Sequence, residues 1–138
     1  MYTLLKEFHS EFRWLVLALA VIVVIIFLIG FIAKRKYGKA ENLTSLFYMI
    51  SCDIQLLAGL VLYIFLSPAT SSFAIDMSDP TSRFQSVEHP VTMLLAIVFA
   101  HIGRSKSKNA ATDASKFKKG LIWFALSLIF MLSRMPWN

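Results

Sequence analysis

The feature that most constrains this chain is a long apolar run near its start. No charged residue occurs between Trp14 and Ala33, and most of the run is Leu, Ile, Val, Ala or Phe. At about 1.5 Å of rise per helical residue, it covers the roughly 30 Å hydrocarbon core of a bilayer. The run is too long for a signal peptide, and it ends in Lys34-Arg35-Lys36 instead of a small-residue cleavage site. The sequence therefore predicts a retained membrane-spanning helix at residues 12–33.

Three further apolar segments follow, at residues 43–66, 87–106 and 117–137. The second ends before Ser67-Pro68, because proline disfavours continuation of a helix. The third and fourth reach membrane length only by including polar residues at their ends. Charged residues make up 16% of the chain, against about 25% in a typical soluble domain. We expect an all-α protein, a single transmembrane four-helix bundle over residues 1–138.

The distribution of charge predicts the orientation of this bundle. Most of the fourteen basic residues lie in the connectors after the first and third spans: Lys34, Arg35, Lys36, Lys39, Arg104, Lys106, Lys108, Lys116, Lys118 and Lys119. This placement fits the positive-inside rule and contacts with anionic membrane lipids, and it argues against nucleic acid as a partner. The loop from Ser67 to Glu88 has a net negative charge. We therefore expect a multi-pass protein of the cytoplasmic (inner) membrane with this loop and both termini outside, and Trp14 and Trp137 at the outer interface.

Two histidines fall at a similar depth in this topology. His9 precedes the first span and His89 begins the third, so both lie near the outer surface. Two neutral imidazoles facing each other across a four-helix bundle are what a six-coordinate b-type haem requires. The alternative is that each histidine is simply solvated at the interface. The single cysteine, Cys52, excludes an internal disulfide and a multi-cysteine metal site.

The arginines outside the basic connectors also map to the outer side. They are Arg13, Arg83 and Arg134. Arg13 is one helical turn from His9, and arginine pairs with carboxylates through a planar fork, so these three residues are candidate partners of haem propionates. In the alternative, Arg13 pairs with nearby Glu7 or Glu11, and Arg83 with Asp79.

The second span carries Ser51, Asp53 and Gln55, so one of its faces is expected to look inward. Asp53 falls near the middle of the membrane, where an ionisable side chain is costly and marks a functional site by default. We predict a proton relay or a contact to a cofactor there. The alternative is a protonated aspartate that fixes helix packing. His101 is expected beside Arg104 among lipid head groups, with ligation of an inner cofactor as the other option.

Four stretches carry a family resemblance: His9–Leu17, Gln55–Leu60, Val87–His89 and His101–Lys108, together with the closing Pro136-Trp137. They resemble a family of small four-span membrane proteins of Bacteroidetes labelled cytochrome b-like. The resemblance covers nearly the whole chain and implies haem binding. It also implies that many members carry histidine at the position of Asp53, so a second haem involving that position is not expected here. His9 and His89 are then the axial ligands.

These observations predict a haem-b membrane protein that transfers electrons near the outer face, as an electron carrier and not a substrate-converting enzyme. A quinone or a periplasmic redox protein is the expected partner, and a homo-oligomer is compatible with the sequence. Two rival hypotheses stay open. One is a small transporter or ion-binding bundle centred on Asp53, and the other is an interaction subunit without chemistry.

Overall fold

The computed structural model describes residues 2–66 and 77–135, and this part of the chain contains helices and no strand. The predicted all-α class is confirmed. Two π-helical segments extend the α-helices. Leu62–Leu66 continues the α-helix that ends at Val61, and Phe84–Glu88 joins the α-helix that ends at Arg83 to the one that begins at His89. The α-helices are α1 (Tyr2–Ile32), α2 (Lys39–Val61), α3 (Pro80–Arg83), α4 (His89–Asn109) and α5 (Asp113–Ser133).

The helix ends follow local polar contacts and differ from the predicted spans by several residues. α1 begins at Tyr2, well before residue 12, because hydropathy marks the apolar part of a helix and not its first turn. α2 begins at Lys39, where the Glu41 carboxylate accepts a 2.9 Å hydrogen bond from the Gly38 N–H. α5 begins at Asp113, where the Thr112 hydroxyl accepts one from the Ser115 N–H at 3.1 Å.

The predicted outer loop, Ser67 to Glu88, is partly helical. Asp79 begins α3 by accepting a 3.3 Å hydrogen bond from the Thr81 N–H, and the chain is helical from Pro80 into α4. Proline at the first helical position favours this start, because its missing N–H is not needed there. Asp76 and Trp137, which entered the topology prediction, lie outside the described residues.

The four long helices pack side by side in the cyclic order α1, α2, α4, α5. α1 and α4 each contact α2 and α5, so they lie diagonally opposite each other. The short connections 33–38 and 110–112 are at one end of this arrangement, which we call the basic end. The opposite end carries His9, His89 and Arg134, and we call it the histidine end.

Interlocking aromatic rings and glycines hold α1 against α5 near the basic end. The rings of Phe27 and Phe117 meet edge to face with centroids 5.7 Å apart. Gly30 of α1 lies under the Phe117 ring, and Gly120 of α5 lies under the Phe27 ring, so closely that a Cβ at either glycine would overlap the ring. Phe124 is also fully buried and packs on Phe27 at 5.1 Å. Each helix therefore inserts a ring into a notch of the other.

A buried polar chain joins three helices in the middle of the bundle. The hydroxyls of Tyr48 on α2 and Ser127 on α5 are 2.6 Å apart, and Ser127 donates to the Ala96 carbonyl oxygen of α4 at 2.7 Å. Tyr48 and Ser127 are fully buried. These bonds tie α2, α4 and α5 together where water is excluded.

Two helices in the described part of the chain are long and apolar enough to cross a membrane, Tyr2–Ile32 and Lys39–Phe65. α4 and α5 do not reach that level because basic residues occupy their ends next to the basic connector. Arg104, Lys106 and Lys108 lie in α4, and three lysines lie in the first turns of α5.

Candidate histidine site

α2 positions His9 through two residues that share one face. The Gln55 side chain donates a 2.7 Å hydrogen bond from Nε2 to the His9 backbone carbonyl oxygen. Gly59, four residues later and therefore on the same face, lies beside the imidazole: a Cβ there would be 3.2 Å from His9 Cε1. The His9 ring is partly buried, and its Nδ1 has no hydrogen-bond partner among the described residues. Glycine at this position lets the His9 ring approach the α2 backbone.

His89 is held by the end of α5. Its Nδ1 is 3.0 Å from the Arg134 backbone carbonyl oxygen. Because a carbonyl oxygen only accepts, the hydrogen bond requires the proton on Nδ1, and a neutral His89 ring then has an unprotonated Nε2. Phe84 stacks on the ring with a centroid separation of 5.7 Å and an angle of 28°. The hydrogen bond and the stacked ring therefore orient His89, and in a neutral imidazole they favour the tautomer with its proton on Nδ1.

The two imidazoles meet across the diagonal of the bundle. Their centroids are 6.3 Å apart and their planes are at 88°. An imidazole nitrogen binds a first-row metal at about 2 Å, so two imidazoles on opposite sides of one metal have centroids roughly 6 Å apart. An edge-to-face contact between rings occupies the same range of distances. The centroid separation suits both a shared metal and a plain ring contact. The hydrogen bond of His89 is therefore more specific evidence for a metal ligand than the separation is.

The three predicted arginines fall into two groups. Arg13 is partly buried on α1 and is close enough to both imidazoles to interact with them electrostatically. Arg83 and Arg134 instead bind Glu88, with Nε–Oε distances of 2.7 and 3.5 Å. The suggested pairing of Arg83 with Asp79 is not the one observed, since Asp79 caps α3. Two guanidiniums share one carboxylate, so one positive charge at this rim is not neutralised by Glu88.

Asp53 does not join this site. It is two residues from Gln55, and two residues of an α-helix turn the side chain about 200° around the axis, so Asp53 faces outward. Its Oδ1 is 2.7 Å from Nε2 of His101 on α4, and both side chains are 45% exposed. Ser51 is buried, as expected for an inward face, and donates to the Tyr48 carbonyl oxygen.

Metal-binding groups of three or more His, Cys, Asp or Glu side chains do not occur in residues 2–66 and 77–135. Two pockets in this part of the chain lie away from His9 and His89. One of about 500 Å³ is bordered by Phe31 and Asp113, and one of about 300 Å³ is bordered by His101 and Arg104.

Sequence reasoning did not identify Phe84, Glu88 or Gly59 as parts of this site. Gly59 carried a usable signal, because a glycine one turn after an inward-facing glutamine marks a helix face that something approaches closely. Glu88 and Phe84 carried none, since the π-helical segment that aligns them with their partners has no clear sequence pattern.

No known protein family, curated protein or solved structure matches this chain. The resemblance to cytochrome b-like proteins therefore stays a prediction.

Proposed function

We propose that this chain is a four-span protein of the cytoplasmic membrane that binds haem b between His9 and His89 and transfers electrons. The observation that carries the proposal is the hydrogen bond from His89 Nδ1 to the Arg134 carbonyl. Metal-ligating histidines commonly donate their second ring N–H in this way, which orients the ring and frees the other nitrogen for the metal.

The exposed surface supports a membrane location for the whole bundle. Only 28% of the most apolar stretch of α1 and 22% of that of α2 are buried, whereas the core helix of a soluble protein is mostly buried. α4 and α5 also expose large apolar side chains, such as Leu94 at 48% and Ile129 at 59%. Helices that are apolar inside and outside suit hydrocarbon. The basic connectors at one end favour placing that end in the cytoplasm and both termini outside.

The donor set suits a haem better than a bare metal ion. A porphyrin supplies four nitrogens to its iron, so two imidazoles complete a six-coordinate centre where a bare ion would need more protein ligands. The unpartnered His9 Nδ1 and the close fit of its ring against Gly59 agree with an imidazole kept free for a ligand. The porphyrin would have to displace side chains that now fill the histidine end.

The arginines provide charges for the propionates. Arg13 lies near both imidazoles, and the Arg83–Arg134 pair has one charge more than Glu88 neutralises. Bound haem would supply one-electron ferric–ferrous chemistry. The protein would hold the ligand tautomer through the Arg134 carbonyl and stabilise the propionates through its guanidiniums. A quinone or a periplasmic redox protein would exchange the electron.

An optical spectrum tests this function. The protein is expressed with added haem precursor, purified from membranes in mild detergent, and scanned oxidised and dithionite-reduced. We expect a stoichiometric Soret band and sharp reduced α and β bands typical of low-spin haem b. A preparation that is purified without haem and shows only the spectrum of free haemin after titration with haemin would refute the proposal.

The hydrogen bond between Asp53 and His101 favours a second candidate, a proton-binding or ion-binding bundle. An aspartate with a titratable partner can exchange a proton, and intramembrane carboxylates often mark ion pathways. Purified protein in vesicles with an internal pH dye would then show a flux that Asp53→Asn abolishes. Equal fluxes in the parent, the variant and empty vesicles would exclude this candidate.

A further inference from the structure

The pair Asp53–His101 lies on the outward surface between α2 and α4, away from the histidine site. Each side chain is 45% exposed. Exposed apolar side chains flank the pair along the same sides of the two helices. We call the whole set the Asp–His face: Ile50, Asp53 and Leu57 of α2, and Leu94, Val98 and His101 of α4.

This polar pair is only half satisfied within one chain. The hydrogen bond within the chain joins His101 Nε2 to Asp53 Oδ1, and neither His101 Nδ1 nor Asp53 Oδ2 bonds to any other residue in the ranges 2–66 and 77–135. In a four-span protein the Asp53 carboxylate would lie on the lipid-facing side of the bundle, where hydrocarbon offers no hydrogen bonds, while His101 also borders a pocket with Arg104 and Lys108. Ionisable groups within membrane segments almost always face protein or a water-filled cavity. Something other than lipid is therefore needed at this face.

The unused atoms match each other when the pair consists of an imidazolium and a carboxylate, because both ring nitrogens then donate and both carboxylate oxygens accept. A twofold interface brings one surface patch against the same patch of a second copy, so each group must meet its complement. One imidazole nitrogen and one carboxylate oxygen remain at the centre of the Asp–His face. A twofold axis beside the pair would set His101 of each copy against Asp53 of the other and form two further hydrogen bonds. The apolar residues around the pair would pack around these bonds.

We infer that the Asp–His face is the interface of a homodimer in the membrane. The inference rests on the proposed four-span topology and does not depend on haem binding. The partner is a second copy because the face offers both members of the required pair. The Asp53–His101 contacts would then add affinity and fix the register of the two copies, since interhelical hydrogen bonds in membranes orient as well as stabilise.

Cysteine cross-linking in native membranes tests the interface. Cys52 is the single cysteine of the sequence and is buried, so Cys52→Ala provides a cysteine-free background. Leu57→Cys and Val98→Cys place thiols on the face. Ile129→Cys on α5 is the matched control, because Ile129 is 59% exposed and Leu57 is 66% exposed. Membranes carrying one variant each are treated with a short bis-maleimide.

We expect a band of twice the monomer mass from at least one face variant, several-fold stronger than from the control. Equal yields from the face and the control, no dimer band, or a product whose mass shows a different protein would each overturn the inference. An alkaline carbonate wash precedes the cross-linking. Protein released by the wash would refute the four-span topology. Protein that is retained, but whose face cysteines form no cross-linked dimer, would refute the homodimer alone.

Variants of the pair test its part in the interface. Asp53→Leu combined with His101→Leu removes all the polar atoms and should lower the cross-linking yield several-fold. Asp53→His combined with His101→Asp exchanges the two side chains and should retain the yield, since each copy still offers one imidazole and one carboxylate. Unchanged cross-linking in the double-leucine variant would refute the role of the pair.

Discussion

The two ends of the bundle are built on different principles. Near the basic end, the rings of Phe27 and Phe117 fill notches over Gly120 and Gly30, and the contacts are apolar and close. At the histidine end, the contacts are hydrogen bonds and ion pairs, and the His9 Nδ1 has no partner among residues 2–66 and 77–135. One end can be changed only at a cost in stability. The other end has an imidazole nitrogen without a partner in the described part of the chain, and it is the end at which the proposed haem would bind.

The largest effect is expected from removing either imidazole at the histidine end. His9→Ala and His89→Ala should each convert a low-spin six-coordinate spectrum into a five-coordinate or haem-free one, because bis-histidine ligation needs both rings. His101→Ala is the control and should leave the Soret and α bands unchanged, as His101 contacts Asp53 elsewhere. Optical spectra of purified variants measure this. A haem spectrum that needs His101 but not His9 would reverse the assignment.

The next largest effect is expected at the notches near the basic end. Gly30→Ala and Gly120→Ala should each destabilise the fold by roughly 1–3 kcal/mol, because the new methyl overlaps a buried ring. Gly38→Ala is the control, since its Cβ would meet only Glu41 Oε2, at 3.7 Å. The free energy of unfolding of each variant is measured in mild detergent by titration with a denaturing detergent.

A compensating substitution sharpens this second prediction. Phe27→Leu, added to Gly120→Ala, should recover part of the lost stability, because a smaller side chain leaves room for the methyl. If Gly120→Ala is as stable as the parent, the two helices are not packed as closely as described.

A smaller effect is expected where three helices meet. Ser127→Ala removes the bonds to Tyr48 and Ala96 and should cost about 1 kcal/mol, near the upper part of the range measured for hydrogen bonds in membrane bundles. Ser133→Ala is the matched control, because Ser133 is exposed and bonds only within its own helix. The same unfolding titration applies, and equal stabilities of the two variants would contradict a linking role for Ser127.

The smallest change in stability, with a specific change at the site, is expected for Gly59→Ala. The methyl would lie 3.2 Å from His9 Cε1, so the ring must move by a few tenths of an ångström. Alanine also favours the helix by up to about 1 kcal/mol relative to glycine. We expect a stable protein whose reduced α band or midpoint potential is shifted. Spectra and potentials identical to those of the parent would show that His9 is not held against α2.

The sequence was sufficient to predict the helical class and the facing of two histidines. Long apolar runs report helices directly, and His9 and His89 were placed at one level by counting residues along them. The pairing of Asp53 with His101 was missed, although helical periodicity separates Asp53 from Ser51 and Gln55. A hydropathy profile treats Ser51, Asp53 and Gln55 as one polar group. A rotation of about 100° per residue instead places Asp53 on the opposite side of α2 from the other two.

The partners of Arg83 could not be predicted from the sequence, for a different reason. The alternative expectation paired Arg83 with Asp79, which is close in sequence, but the chain turns at Asp79 to begin α3 and uses its carboxylate as a cap. Arg83 then meets Glu88, five residues on. Five is not a spacing that an α-helix brings together, so no α-helical pattern could have indicated the pair.

The π-helical segment Phe84–Glu88 sets the angular phase between α3 and α4. Its hydrogen bonds join residues five apart instead of four, as in the bond from the His89 N–H to the Phe84 carbonyl oxygen. Two contacts of the site have this same separation, Arg83 with Glu88 and Phe84 with His89. The segment thus acts as a one-residue insertion in an otherwise continuous helix. Deleting one residue from it would restore the α-helical repeat and rotate Arg83 and Phe84 away from the residues they now contact, while leaving the chemistry of every side chain intact.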